Sequence, residues 1–379
     1  MRNVGLYIHI PFCKSKCYYC DFCSFANKEN YIEKYINALK EEISEMEQER
    51  YCFRTIYIGG GTPSVIDEKY IKEILGMLDI KKTKEITIEV NPGTVTKHKL
   101  QTYFDSGINR LSIGLQSTND KLLKEIGRIH TYNDFLKTYH MAREIGFKNI
   151  SVDLMFGLPN QTITDVRKDL SNIINLNPEH VSTYSLTLEE GTALYEKARK
   201  NQIKLVPDII ERKMYWLIKE QLENAGYIHY EISNFAKKGF ESKHNNWYWS
   251  QGEYIGIGLS AHSFLHNYRY CKNSNLEEYC DGNIYGLLDP EDETSLFEDL
   301  SIDLYKDKLM NEYIMLGLRK IEGVDLDKFE KKFKENARIV FRESIEDMEA
   351  DGLVCIENNH LKLTELGLDY GNIVWRRFV

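Results

Sequence analysis

The chain has 379 residues, 42% of them hydrophobic, which is enough to bury one large core and suggests a smaller second domain. Its formal net charge of -9 gives no general basic field, so we expect no nucleic-acid partner. The apolar stretch 4–12 is interrupted by His9 and Pro11, and no other stretch approaches about 18 uninterrupted apolar residues. We therefore predict no signal peptide, no membrane span and a cytoplasmic protein with at most peripheral membrane association.

Short β-rich runs alternate with amphipathic helical stretches from residue 4 to about residue 190, a pattern typical of βα units around a parallel sheet. The predicted strands cover residues 4–10, 55–58, 85–90, 110–114, 149–154 and 180–186. The predicted helices cover residues 31–43, 67–78, 96–106, 132–145 and 162–176. Six units are too few for a closed eight-stranded barrel, so we predict an α/β fold with a partial (β/α)6 barrel, whose carboxyl-terminal strand ends carry the chemistry.

The remainder of the chain predicts a barrel-completing segment and a separate module. We expect a helix over 208–225, a return to the sheet edge at 227–234, and a loop-like segment rich in glycine and aromatics over 244–263. An acidic linker at 289–293 marks a domain boundary.

Beyond the linker, three helices and a hairpin predict a small winged-helix-like α+β domain, which by itself does not indicate DNA binding. These elements cover 305–319, 325–333, 338–350, 354–357 and 360–363. The predicted organisation is a barrel with the functional site over 1–225, a completing segment over 226–290, and the C-terminal domain over 291–379.

Four of the eight cysteines fall between Cys13 and Cys23, which favours metal binding over disulfides in a reducing compartment. The C-x3-C-x2-C spacing of Cys13, Cys17 and Cys20 lets three thiolates reach three corners of a 4Fe-4S cluster and leaves the fourth iron open to a small molecule. The alternatives are a zinc site that also uses Cys23, or an all-cysteine ferredoxin-type cluster. Zinc sites usually draw ligand pairs from separated segments, and ferredoxin motifs have a different spacing.

Residues 6–13 (LYIHIPFC), with 17–20 (CYYC) behind them, resemble the opening of the radical S-adenosylmethionine (SAM) proteins related to oxygen-independent coproporphyrinogen III oxidase. The resemblance runs essentially from end to end of the chain. Its further motifs are 59–63 (GGGTP), 88–92 (IEVNP), 109–117 (NRLSIGLQS), 153–159 (DLMFGLP) and 258–263 (GLSAHS).

The resemblance implies that the three cysteines hold a cluster that reduces the SAM sulfonium to give a 5′-deoxyadenosyl radical. It also implies the contacts to SAM. These are Tyr7 beside the sulfonium, Tyr19 at the adenine end, Gly60, Gly61 and Thr62 along the methionine part, Arg128 at the carboxylate, and Glu89, Gln116 and Asp153 at ribose hydroxyls and polar edges. Glycine suits close backbone approach and free N–H donors, and a guanidinium binds a carboxylate through two donors. Tight turns, helix caps and a surface ion pair are the purely structural alternatives.

The resemblance leaves two functions open. The oxidases decarboxylate two propionates of coproporphyrinogen III, whereas the HemW-like heme chaperones keep the cluster and SAM but bind heme and deliver it to respiratory enzymes. In the oxidases the first strand follows an N-terminal extension, and the fourth cysteine follows in a C-x2-C-x-C pattern. Here the first strand begins at about residue 4, and two residues separate Cys20 from Cys23, so we exclude Cys23 from the ligand set.

Residues 244–249 (HNNWYW) match the HNxxYW pattern of the HemW-like branch, which makes His244 a candidate heme ligand and His262 a weaker one. We therefore predict a HemW-like heme chaperone that binds heme or a porphyrin and serves heme-accepting respiratory proteins, with a homodimer as one oligomeric state. The alternatives are the oxidase or another radical SAM enzyme of porphyrin metabolism, or a non-enzymatic iron–sulfur scaffold. The sequence leaves open whether the chain is an enzyme.

Overall fold

A large sheet dominates the computed structural model, which describes residues 1–284 and 302–378. The strands of its first part are β1 (Arg2–Ile10), β2 (Phe12–Cys13), β3 (Phe25–Ala26), β4 (Tyr51–Gly60), β5 (Glu85–Val90), β6 (Arg110–Gln116), β7 (Ile150–Phe156), β8 (His180–Ser185), β9 (Ile228–Glu231), β10 (Asn234–Ala236), β11 (Tyr254–Ile257), β12 (His262–Leu265) and β13 (Tyr268–Cys271). β2 and β3 form a separate parallel pair beside the cysteine loop, residues 13–23. The other strands form one 11-stranded sheet in the order β13-β12-β11-β1-β4-β5-β6-β7-β8-β10-β9.

The six predicted strands are confirmed as β1 and β4 to β8, and neighbours among them pair in parallel. The hairpin β9–β10 pairs antiparallel with β8, which confirms the predicted return of the chain to the sheet edge. The loop prediction for 244–263 was wrong, because this segment contains a helix and two strands, and β11 adds a seventh parallel strand beside β1. Within the described residues the sheet stays open, as a partial barrel requires.

Helices connect the strands and cover the outer face of the sheet. They are α1 (Ile32–Glu45), α2 (Glu68–Gly76), α3 (Lys97–Asp105), α4 (Asp120–Glu125), α5 (Tyr132–Ile145), α6 (Ile163–Leu176), α7 (Ala193–Arg199), α8 (Asp208–Asn224), α9 (Lys243–Trp249) and α10 (Leu276–Cys280). The six predicted helices of this part are confirmed, with ends shifted by at most a few residues. Capping boxes at Thr131 and Thr162 fix the starts of α5 and α6, and Gly146 ends α5 in the left-handed conformation.

The two faces of the parallel strands differ in character. Alternate residues of β1, such as Leu6 and Ile8, are fully buried in the apolar core shared with the helices. The intervening residues form a polar network on the inner face, where the Tyr7 hydroxyl lies within hydrogen-bond distance of His9 Nδ1, at 2.9 Å. On the neighbouring strands the Tyr57 hydroxyl donates to Glu89 at 2.8 Å. The hydrophobic core therefore lies between sheet and helices, and the barrel interior is polar.

The C-terminal part has its own core and a three-stranded sheet in the order β14-β16-β15. Its elements are α11 (Ile302–Gly317), β14 (Val324–Asp325), α12 (Leu326–Phe333), α13 (Ala337–Val340), α14 (Arg342–Ala350), β15 (Val354–Glu357), β16 (His360–Leu363), α15 (Glu365–Asp369) and α16 (Gly371–Arg376). The hairpin is confirmed, but the single helix predicted over 338–350 is divided at Phe341, and α15 and α16 were not predicted. The linker at 289–293 lies outside the described residues, and the domain boundaries remain predictions.

The C-terminal part packs on the barrel near its β9–β10 edge. Backbone hydrogen bonds join Ile232 N–H to the Arg319 carbonyl at 3.0 Å and Ile321 N–H to the Tyr230 carbonyl at 3.1 Å. The Arg319 guanidinium lies between two indole rings, 4.5 Å from the Trp249 centroid and 4.9 Å from that of Trp375. Among the described residues, no helix has the length and apolar character needed to cross a bilayer.

Candidate functional site

A cavity of about 400 Å³ opens at the carboxyl-terminal ends of the parallel strands. Eleven of the predicted site residues line it: Cys13, Cys17, Tyr19, Cys20, Gly60, Gly61, Thr62, Glu89, Gln116, Arg128 and Asp153. Tyr7 and His244 do not line it. The parallel topology brings these residues together, because every βα connection emerges at the same edge.

The three predicted cluster ligands are free thiols on one wall of this cavity. The Cys13 Sγ lies 3.4 Å from the Thr62 hydroxyl, and Arg128 Nη1 donates to the Cys17 Sγ at 3.5 Å. Burial raises the pKa of the Cys13 and Cys20 thiols. Cys23 does not line the cavity, and its Sγ points to the Ser274 carbonyl at 3.9 Å.

The glycine-rich turn after β4 holds the cysteine loop against the barrel. Gly61 N–H donates to the Ile10 carbonyl and Thr62 N–H to the Phe12 carbonyl, each at 2.9 Å. These two donors are therefore taken, which corrects the expectation that the turn offers them to a ligand. Gly60 has φ +114°, and a Cβ there would lie 2.6 Å from the His9 ring. The turn therefore needs glycine for its conformation and for close approach.

Arg128 is positioned by the Asn91 amide, the Gly114 carbonyl and the Cys17 sulfur. Its Nη2 donates to the Asn91 Oδ1 and to the Gly114 carbonyl, both at 2.7 Å. Asn91 in turn donates to the Thr62 hydroxyl at 2.8 Å. No carboxylate pairs with Arg128 among the described residues, so the surface ion pair considered for it is absent and its charge is free for a ligand anion. Sequence reasoning assigned Asn91 no contact to a ligand or to Arg128, although it lies in the motif beside Glu89.

The acceptor side of the cavity consists of two carboxylates and an amide. Burial raises the pKa of Glu89 to about 7. The hydrogen bond from Tyr57 lowers this pKa, and the nearby Asp153 charge raises it. Asp153 accepts from the Ser112 hydroxyl at 3.1 Å. Gln116 has φ +72° at a register shift in β6, and its buried Oε1 has no partner among the described residues. An unpaired buried acceptor at a cavity wall suits a ligand hydroxyl.

Tyr7 lies on the inner face of β1 and does not line the cavity. Its hydroxyl is 2.9 Å from His9 Nδ1, and His9 Nε2 is 2.8 Å from the Cys23 carbonyl. Burial raises the pKa of Tyr7 and lowers that of His9. His9 therefore links the first strand to the cysteine loop, a role that sequence reasoning missed although His9 lies in the quoted motif.

His244 lies below the cavity, inside the barrel. It is 2% exposed, and its Nδ1 is 2.8 Å from the Thr55 hydroxyl, while its Nε2 has no partner among the described residues. Its ring stacks on Tyr57 at 5.3 Å between centroids, and Tyr57 bonds to Glu89. Burial lowers the pKa of His244 to about 3. His262 is exposed on β12 and does not line the cavity.

Comparison with known proteins places this site in a family. Residues 7–173 match the Radical SAM superfamily, and residues 304–370 match the HemN C-terminal domain. The heme chaperone HemW of Lactococcus lactis is 37% identical over 377 residues, which covers 98% of this chain and 96% of that protein. The chain belongs to the HemW family of radical SAM proteins.

A second HemW relative also matches over nearly the whole chain. HemW of Bacillus subtilis is 35% identical and covers 98% of both proteins. The structure of coproporphyrinogen III oxidase (HemN) from Escherichia coli, described as a radical SAM enzyme, has a TM-score of 0.81 at 23% identity over 100% of this chain and 90% of that one. That likeness shows that the HemW-family chain has the radical SAM fold.

The radical SAM family implies a 4Fe-4S cluster and SAM, and the cavity wall fits both. A cubane takes one thiolate at each of three separate corners, so its cysteines need not converge on one point. In the described ranges no three His, Cys, Asp or Glu side chains surround a single-ion position, and the three thiols are instead spread along one wall. The unpaired Gln116 Oε1 and the carboxylate-free Arg128 supply an acceptor and a cation for the polar groups of SAM.

Proposed function

We propose that this protein is a HemW-like heme chaperone that holds a 4Fe-4S cluster on Cys13, Cys17 and Cys20, binds SAM, and passes heme to recipient proteins. The observation that carries the proposal is the match to heme chaperones along nearly the full chain. The cavity supports it, because it gathers the cysteines and eight predicted SAM-contact residues at one edge of the sheet.

The chain's own residues would hold the two groups. Once the cysteines are deprotonated as cluster ligands, the Thr62 hydroxyl and the Arg128 guanidinium would donate to the Cys13 and Cys17 thiolates and stabilise their charge. When bound, the cluster supplies an electron to the SAM sulfonium. Arg128 would also pair with the SAM carboxylate, since Asn91 and the Gly114 carbonyl orient it without neutralising it. Glu89, Gln116 and Asp153 would accept hydrogen bonds from hydroxyl and amino groups.

The cluster assignment is tested one cysteine at a time. We expect Cys13→Ala, Cys17→Ala and Cys20→Ala each to lose the visible absorbance of the reconstituted cluster. Cys23→Ala is the matched control, because Cys23 belongs to the same loop but does not line the cavity, and it should retain the cluster. A full four-iron cluster in any of the first three variants would overturn the ligand set.

Heme binding is the finer part of the proposal, with His244 as the iron ligand. Its low pKa keeps the imidazole neutral at pH 7, which is the form that ligates iron, and its Nε2 is unpaired among the described residues. At 2% exposure the ring is covered, so α9 must move before a macrocycle reaches it. Heme titration of His244→Ala, against His140→Ala as an exposed-histidine control on α5, tests the ligand. Unchanged heme spectra in His244→Ala would refute His244 without refuting the chaperone.

The alternative activity is oxidative decarboxylation of coproporphyrinogen III, which the shared fold with the Escherichia coli oxidase favours. Cluster-loaded, reduced protein is incubated anaerobically with SAM and coproporphyrinogen III, and the tetrapyrroles are then separated. We expect no decarboxylated product, together with heme binding and transfer to a heme-free acceptor protein. Decarboxylated product would establish the oxidase and reject the chaperone. Respiratory recipients, a homodimer and a cytoplasmic location remain predictions.

A further inference from the structure

Two segments of the C-terminal part meet on a surface away from the cavity. The rings of Phe341 and Phe378 pack edge-to-face with centroids 5.4 Å apart, and the Ser344 hydroxyl donates to the Arg377 carbonyl at 3.4 Å. These contacts join the α13–α14 junction to the end of α16. The side chains that flank the two phenylalanines therefore share one region of the surface.

Aliphatic side chains in this region face solvent. Ile339 is 66% exposed, Val340 is 40% exposed and Ile373 is 51% exposed. Their neighbours Ala337 and Val374 are buried in the C-terminal core, so both segments are fixed in orientation. Exposed branched aliphatics gain free energy if they enter an apolar phase, because that transfer removes their surface from water.

Three arginines accompany these aliphatics. Arg342, Arg376 and Arg377 are exposed, and their guanidinium groups form no ion pair or hydrogen bond within the described residues. Glu343 follows Arg342 directly and pairs with none of them. Other helical cations do have partners, such as Lys219 with Glu223 at 3.0 Å. The region thus combines free positive charge with exposed aliphatics in a chain whose net charge is -9.

We infer that this basic–aliphatic patch, formed by Ile339, Val340, Arg342, Ile373, Arg376 and Arg377, docks the protein on an anionic lipid surface. Guanidinium groups attract anionic headgroups over about one Debye length, and branched aliphatics insert at the boundary between headgroups and acyl chains. The arginines complement the negative charge of the headgroups, and the aliphatic side chains complement the apolar interior of the bilayer. The inference does not depend on heme binding.

Vesicle co-sedimentation of the full chain tests the inference. The vesicles are phosphatidylcholine alone or phosphatidylcholine mixed with phosphatidylglycerol, at low and at high salt. We expect binding to the mixed vesicles, little binding to phosphatidylcholine alone, and loss of binding at high salt. The double variant Arg376→Glu, Arg377→Glu should bind roughly tenfold more weakly or worse, because each basic residue near an anionic surface contributes about a fivefold change in partitioning.

Matched variants separate the patch from bulk charge and from unfolding. Arg167→Glu, Lys168→Glu changes the net charge equally on an exposed part of α6 and should bind like the parent. Ile373→Asp should weaken binding while circular dichroism stays unchanged. Failure of the parent to bind mixed vesicles, or equal weakening by the patch and α6 variants, would refute the inference. Binding to a protein partner without any vesicle binding would also refute it.

Discussion

Glu89 has two roles because of where it lies. Its carboxyl lines the cavity, and it also receives the Tyr57 hydroxyl, whose ring stacks on His244. Burial, with the Asp153 charge, raises its pKa to about 7. Between pH about 4.5 and about 7, the folded protein therefore retains a proton that the unfolded chain releases. This group's contribution to the free energy of unfolding falls as the pH rises through that window.

The same titration should control SAM binding. An ionised Glu89 would accept hydrogen bonds from SAM in the proposed site, so the affinity of the parent protein for SAM should fall as the pH is lowered from about 8 to about 6, by up to about tenfold per pH unit below the pKa. Isothermal titration calorimetry measures this. Glu89→Gln should bind SAM more weakly at pH about 8 and show a flatter profile. Glu220→Gln, an exposed control on α8, should keep the parent profile. An unchanged slope in Glu89→Gln contradicts the assignment.

Gly60 tests how much the turn after β4 depends on the absence of a side chain. Gly60→Ala must accommodate φ +114° and a Cβ that lies 2.6 Å from the His9 ring. Gly93→Ala is the matched control, because it has φ +78° with no atom within 4 Å of the added Cβ. The control should cost about 1–2 kcal/mol of unfolding free energy. Gly60→Ala should cost at least about 1 kcal/mol more because of the clash. Equal losses in urea unfolding would show that His9 yields without cost.

At the scale of elements, α9 is one of the connections between the barrel and the C-terminal part. Its first N–H groups, from Lys243 and His244, donate to the Glu85 carboxylate at 3.1 Å, and Ser242 caps the helix. Its last residue, Trp249, packs on the Arg319 guanidinium. Burial raises the pKa of Glu231 to about 7, while the hydrogen bond from Asn234 and the Arg319 charge both favour its ionised form. The helix is thus held at one end by the sheet and at the other by the C-terminal part.

A double-mutant cycle measures this connection. Arg319→Met and Trp249→Leu should each lower the free energy of unfolding by about 1–3 kcal/mol. The two changes should be non-additive by about 1 kcal/mol, because each removes the same cation–aromatic contact. Arg199→Met, which removes a surface pair with Glu196, should cost less than about 0.5 kcal/mol. Additive losses would mean that Arg319 acts through Glu231 or Trp375 and not through Trp249.

The sequence predicted the elements whose signals are local. The six parallel strands alternate apolar outer residues with polar inner ones, and their helices begin at capping residues such as Thr131 and Thr162. Helix α9 and strand β11 depend on distant partners instead. The asparagines and aromatics of α9 have modest helix propensity, and its start is fixed by Glu85 on β5. The four residues of β11 include Gly256 and form a strand because β1 pairs with them.

The candidate site was predictable for a related reason. Residues at the carboxyl ends of parallel strands must meet, so ten motif positions converge on one cavity, and Arg128 joins them from the segment after α4. Tyr7 and His244 do not line the cavity. A motif does not specify how deeply each of its side chains is buried inside the barrel. The Tyr7 hydroxyl bonds to His9, and His244 is buried against Thr55. A motif shows which residue types occur together, but burial decides which of them reach the cavity.

At the scale of the whole molecule, stability depends on buried histidines that stay neutral in the folded protein. Burial lowers the pKa of His244 to about 3 and those of His130 and His229 to about 4, and also lowers those of His9 and His180. The unfolded chain protonates these side chains near pH 6.5, whereas the folded protein excludes the proton. Their stabilising contribution is therefore present above pH about 6.5 and is lost as the pH falls below it.

We expect the free energy of unfolding to drop steeply between pH about 6.5 and about 5. Each fully excluded proton costs about 1.4 kcal/mol per pH unit below 6.5, and the raised pKa values of Glu89 and Glu231 offset only part of this. Urea unfolding at several pH values measures the slope. His229→Gln should flatten it, and His140→Gln, an exposed control on α5, should not. A slope that is unchanged in His229→Gln would show that this ring is protonated in the folded state.

The division between an apolar outer face and a polar inner face of the strands also bears on how such proteins diverge. Substitutions on the inner face change the polar groups of the barrel interior. The outer face keeps the apolar packing against the helices that stabilises the fold. Selection for a new ligand can therefore proceed at inward positions with little loss of the architecture. This explains how the Escherichia coli oxidase can share the fold at only 23% sequence identity.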